Sequence, residues 1–154
     1  MKEHLEEQYQ ELLRLCDLNL NQKQGNINQI IMNSIKKFTD SCAVPAIWCY
    51  GKHTKMLMTD FISEMRNVRY IIDANYSECE ESGFRIIKEN EIRDNHIDGI
   101  IISSFKYKDE IKKNMKNKYP DITYLDIYEE LEAQGILLSF EYFSQQHPYG
   151  HYTN

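Results

Sequence analysis

No stretch of this 154-residue sequence comes near the roughly 20 consecutive apolar residues that a helix needs to cross a bilayer. The charge balance of a general nucleic-acid binder is missing too. Against 18 lysines and arginines stand 24 acidic residues, a formal charge of −6, whereas nucleic acid and anionic membrane surfaces both select basic footprints. The opening residues, Met1-Lys2-Glu3-His4-Leu5-Glu6-Glu7, are acidic and helical in character. They lack the basic start and apolar stretch of a secretory signal, so the expected location is the cytoplasm. Cys16, Cys42, Cys49 and Cys79 show no C-x-x-C spacing. They are expected to be reduced, small buried hydrophobes rather than disulfides or metal ligands. There is no G-x-S-x-G elbow, no Walker loop and no zinc-deaminase pattern. Catalytic residues stay unassigned, because scattered carboxylates carry no distances.

What is present is an ordinary globular composition, 42 % hydrophobic and 27 % charged, without repeats or a low-complexity linker. Three zones differ in pattern. Residues 1–40 read as an arm of two helices. Leu5, Tyr9, Leu12, Leu13 and Cys16 form one apolar face, and Ile27, Ile30, Ile31, Ile35 and Phe38 form another. Asn19 to Asn26, rich in Asn and Gln and containing Gly25, reads as the turn between them, with Asn26 and Gln29 spaced as a capping box. Such a hairpin must bury its stripes on the following domain or on another chain.

Residues 43–138 alternate strand and helix signals. Ala46 to Tyr50, Val68 to Asp73, Gly83 to Ile87, Ile97 to Ile102 and Ile122 to Asp126 are short β-branched or aromatic runs. Between them, 52–65 and 106–118 have helical spacing, 89–95 a polar turn, and 129–134 a short closing helix. Asp109 and Glu110 near the start of the second helix and Lys116 and Lys118 near its end suit the helix dipole; with acids interspersed, its lysines read as a solvated face. The alternation predicts an α/β domain of Rossmann-like design, with a mainly parallel sheet of four or five strands and helices on both faces. Ile100 to Ile102, apolar on both faces, predicts a buried inner strand. Residues 139–154 are aromatic and polar without a period, and read as a docking tail or the cut edge of a longer protein. His147 and His151 stand four apart there, but Pro148 and Gly150 oppose the helix that would align them for a metal.

Binding chemistry concentrates where strands end. In Cys49-Tyr50-Gly51-Lys52-His53-Thr54, between the first strand and its helix, Gly51 occupies the middle position of a G-x-G-x-x-G turn. A backbone there can approach a phosphate at the helix N-terminus. Asp73, 22 residues later at the end of the second strand, stands where an acid would accept from a ribose hydroxyl. Ser103 and Ser104 end the inner strand at its carboxyl edge, placed to touch a ligand or to cap the next helix. His53 is placed to meet a ligand phosphate, to cap its helix or to contact a neighbouring loop.

The same run resembles a Rossmann-like module of bacterial sugar-modifying and cell-surface biosynthesis proteins, whose turn commonly reads G-x-G-x-H-T-x-x-L. Gly51, His53, Thr54 and Leu57 match, and Cys49 replaces the first glycine. The likeness runs on through Ile71-Ile72-Asp73, Gly83, the stretch Ile100 to Ile111 and Asp126-Ile127-Tyr128, about 90 residues in all. It implies an accessory fold for a nucleotide or nucleotide sugar, often appended to transferases, with Gly51, Lys52, His53, Thr54, Asp73, Ser103 and Ser104 as the binding set. Cys49 departs from the pattern, since a side chain there crowds the turn that glycine makes. The rival expectation is a protein-interaction module that has lost its ligand, its arm or tail docking a fused or separate transferase or a second copy of the chain. An enzyme acting on a sugar nucleotide in its own right is a third. No metal is expected.

Overall fold

Alternate residues of the strands turn to opposite faces of one sheet, and both faces are covered. A computed structural model describes the backbone of residues 2–75, 79–81 and 83–134, and the side chains of 4–14, 27–51, 53–75 and 83–134. The strands are β1 (Pro45–Trp48), β2 (Tyr70–Ile72), β3 (Cys79–Glu81), β4 (Phe84–Ile87), β5 (Gly99–Ile102) and β6 (Thr123–Asp126). They form one six-stranded sheet of order β3-β4-β2-β1-β5-β6. Five strands run parallel, and β3 pairs antiparallel with β4 at the edge. The expected parallel α/β sheet is therefore present, with one additional edge strand. Its short Cys-Glu-Glu sequence carries no apolar alternation from which a strand could be read.

Four helices are described: α1 (Lys2–Asp40), α2 (Lys52–Asp60), α3 (Lys108–Lys118) and α4 (Ile127–Ala133). Ile47, Ile71, Ile86, Ile101 and Leu125 point to the face where Ile27, Ile31 and Ile35 of α1, Leu57 of α2 and Leu131 of α4 pack. Trp48, Ile72, Ile87, Ile100 and Ile102 point to the other, against Ile111 and Met115 of α3 and Ile92 and Ile97 before β5. All four residues of β5 are buried, as an inner parallel strand requires.

Two element boundaries differ from the sequence pattern. The helix expected over 52–65 stops at Asp60, because Phe61 leaves helical geometry (φ −125°, ψ 25°), and a 3-10 turn follows at Ile62–Met65. The turn expected over Asn19 to Asn26 does not form: α1 is one continuous helix of 39 residues, not two. Weak helix formers cost only tenths of a kcal/mol each, and Gly25 about 1 kcal/mol, so anchored helix on one side can carry the chain through them. That anchor is strong. Ile27 and Ile35 are fully buried, and Thr39, at the end of α1, donates to the Glu64 carbonyl at 3.0 Å. Residues 135–154, which include the aromatic tail with His147 and His151, lie outside the described residues.

Candidate functional site

The chain leaves β1 toward β2 and β4 on one side and returns to β5 and β6 on the other. The gap between β1 and β5 is thus the switch point of the sheet, beside which open α/β folds place their ligands. A cleft of about 710 Å³ lies at the carboxyl ends of β1 and β2, bounded on the β5 side by α3 and its approach. Gly51 and Asp73 both line it. Its walls also carry Tyr50, Lys55, Asn75 and Glu89, and Tyr107, Glu110 and Asn114 from one face of α3 and its approach.

The turn that forms the cleft floor is built tightly. Cys49 takes φ +87°, the left-handed region that favours glycine. Its N–H donates to the Ile72 carbonyl at 2.7 Å, and its own carbonyl accepts from Thr54 Oγ1 at 2.5 Å. Asp73 fixes the same turn. One carboxylate oxygen accepts from the Tyr50 N–H at 2.7 Å, the other from the Asn75 N–H at 2.8 Å. Burial pushes the Cys49 thiol up to about 12, the nearby charges of Asp73 and Glu110 push the same way, and a hydrogen bond with Ser104 opposes them. A thiol so held is protonated at neutral pH and is no nucleophile.

Gly51 is the N-cap residue of α2 and supplies no side-chain cap. Lys55, one turn on, holds its ammonium 5.0 Å from the centre of the Tyr50 ring. Positive character at this lip faces carboxylates from Asp73, Glu89 and Glu110 around the walls.

Of the other binding residues expected from the turn and the strand ends, His53, Thr54, Ser103 and Ser104 do not line this cleft. Thr54 is fully buried with its hydroxyl on the Cys49 carbonyl. Ser104 is fully buried too; its Oγ accepts from the Tyr107 N–H at 3.1 Å, which holds the turn before α3 and does not cap the helix itself. His53 is 3 % exposed and sits on the opposite side, its Nδ1 2.5 Å from the Tyr128 hydroxyl. With Ser103 and Tyr128 it lines a separate pocket of only about 10 Å³, room for no more than one water. His53 and Thr54 are thus structural: one ties α2 to α4, the other closes the floor turn. The side chain of Lys52 is outside the described residues. Among the described residues no group of His, Cys, Asp and Glu could hold a metal.

Sequence reasoning missed the α3 wall. Tyr107, Glu110 and Asn114 recur at steps of three and four, which was a usable signal for one helical face, but nothing in the spacing says that this face overlooks the carboxyl edge.

The model of the C2185-like, N-terminal family matches residues 45–123. No curated protein matches the chain.

Proposed function

The chain belongs to the C2185-like, N-terminal family, whose matched span contains every residue lining the cleft; from the cleft itself we propose that the chain is an accessory Rossmann-like domain that binds a nucleotide or nucleotide sugar there. The resemblance of the turn and strand ends to modules of bacterial surface-sugar biosynthesis supports the same ligand class. The observation that carries the reading is the position of the cleft: about 710 Å³ at the switch point, with a helix N-terminus at its lip. That volume lies in the range of small-molecule sites.

The chemistry of the walls divides the ligand. A phosphate belongs at the α2 N-terminus beside Lys55, where backbone dipoles and a cation favour an anion. The carboxylates of Asp73 and Glu110 and the amide of Asn114 suit sugar hydroxyls, which donate to them. Tyr107, 41 % exposed, offers aromatic surface for a base.

A melting-temperature screen against nucleotides and nucleotide sugars tests this. A ligand at 100 times its dissociation constant adds about 2.7 kcal/mol of stability. In calorimetry, Lys55→Met and Asn114→Ala weaken such a ligand while the protein stays folded, and Gly51→Val blocks its approach. Asp73→Ala is a poorer probe, because it also removes the two hydrogen bonds that hold the floor turn. Failure of every nucleotide and nucleotide sugar to raise the melting temperature would overturn the reading.

A further inference from the structure

The small pocket beneath α1 and α4 encloses a titratable ring in uncharged surroundings. His53 is buried, with its Nδ1 against the Tyr128 hydroxyl of α4. The other described residues around the pocket are Ser103 at the end of β5, Ile31 of α1, Leu57 of α2, and Ile127 and Leu131 of α4. No carboxylate is among them. The charged groups described on the packed elements are engaged or exposed elsewhere. On α4, Asp126 and Glu129 hold Lys112, and Glu130 and Glu132 are exposed. On this part of α1, Lys36 pairs with Asp40 at the surface and Lys37 is exposed. On α2, Lys55 stands over the Tyr50 ring beside the cleft, and Asp60 is exposed.

Three effects therefore oppose a positive charge on this ring. Burial strips its hydration. Its place in the first turn of α2 sets it at the positive end of that helix, and the turn holds no acidic residue to offset it. The described pocket walls offer no counter-ion. A neutral imidazole meets none of these costs and still bonds Tyr128. A protonated one gains most by reaching water, and water is reached by parting α2 from α4.

We propose that His53 is an acid-released latch. Neutral, it holds α2 to α4; protonated, it leaves the pocket and frees α4 from that face of the sheet. The opened chain takes up a proton near the ordinary histidine value of about 6.5, and the closed chain only at lower pH. The closed form is thus fully favoured above about pH 6.5 and loses ground as the pH falls, by up to about tenfold in the closing equilibrium per pH unit. The inference is independent of whether the cleft binds a nucleotide, since the two sites share no described lining residue.

An NMR titration of the histidine rings in the full chain tests the first half of this. His53 is expected to titrate at least about one pH unit below the exposed His96. Amide hydrogen exchange tests the second half. Between about pH 7 and about pH 5, α4 is expected to lose about tenfold in protection, corrected for intrinsic rates, while β5 loses far less. His53→Gln, which keeps a hydrogen-bonding side chain but takes up no proton, is expected to abolish that selective loss. If this variant does not fold, the titration and the exchange of the parent decide the matter. A His53 that titrates with His96 or above it would overturn the inference. So would equal losses in α4 and β5, which mark global unfolding, or the same loss in His53→Gln as in the parent.

Discussion

Cys49 is where a single residue carries most of the local tension. A non-glycine residue at φ +87° costs of order 1–3 kcal/mol, met here by the backbone hydrogen bonds with Ile72 and Thr54. Cys49→Gly relieves that strain and is expected to leave the protein at least as stable. Cys49→Val, branched at Cβ, is expected to cost about 1–3 kcal/mol relative to Cys49→Gly in urea melts. If both behave alike, the turn is not strained. The thiol also sets a pH dependence. Its value rises from 9.0 to about 12 on folding, so above pH 9 the unfolded chain releases a proton that the folded chain keeps. Stability then falls as pH rises through that window, by at most about 1.4 kcal/mol per pH unit. Melts at about pH 8 and about pH 10 should show a larger alkaline loss in the parent than in Cys49→Gly, because only the parent has this proton to release.

At the scale of elements, short polar contacts fix how helices meet the sheet. The end of α1 passes directly over the start of β5. A Cβ at Gly99 would overlap Cys42 Sγ and stand 3.1 Å from Phe38 Cζ. Cys42 has little room to withdraw, since it is buried and its loop is held by Asn67, which donates to the Thr39 and Cys42 carbonyls. Gly99→Ala is therefore expected to cost about 1–3 kcal/mol as an overpacking change, seen as a lowered denaturant midpoint with an unchanged slope. On the far edge, Asp126 caps α4 by accepting from the Tyr128 and Glu129 N–H groups, while Lys112 of α3 reaches its other oxygen at 2.6 Å. Burial alone would lower the Lys112 ammonium, but its bonds to Asp126 and Glu129 raise it. One buried carboxylate thus joins helices from opposite faces of the sheet across the end of β6.

For the whole molecule, the part of α1 that carries Ile27, Ile31 and Ile35 belongs to the core, and truncation separates it from the outer residues. Removing residues 1–40 strips Ile27, Ile31 and Ile35 from the core, each worth roughly 1.5–3 kcal/mol. That exceeds a small share of the 5–15 kcal/mol stability of a typical domain, so this truncation is expected to be insoluble or to melt far below the parent. Removing residues 1–24 leaves those isoleucines in place and is expected to keep the melting temperature of the α/β domain, read by calorimetry. An equal loss in both truncations would mean that the outer half belongs to the domain core.

The five parallel strands and α3 were legible because their signal is local, whereas the edge strand β3 was not. Runs such as Ile100 to Ile102 can be satisfied only by burial on both faces, and Asp109 to Lys118 by a helix with its charges at the matching ends. Gly51 and Asp73 followed from the same logic, since strand ends of a parallel sheet collect at one edge. Three features were decided by tertiary structure alone. Asn19 to Asn26 favours a break by local propensity, yet the anchored isoleucines on one side hold the helix through it. His53, in the first turn of α2, and Ser103, at the end of β5, lie at the same edge as Gly51 and Asp73, but the side on which a residue emerges depends on its angle around the helix or strand, and theirs turns them toward Tyr128 and α4. The wall of Tyr107, Glu110 and Asn114 became part of the cleft only when α3 packed across β5. Sequence alone determines which residues must be buried and how often they recur, because hydrophobic periodicity is a property of neighbours along the chain. Which side chains come to share one cleft depends on how helices are set against the sheet, and that is a property of contacts between residues far apart in sequence.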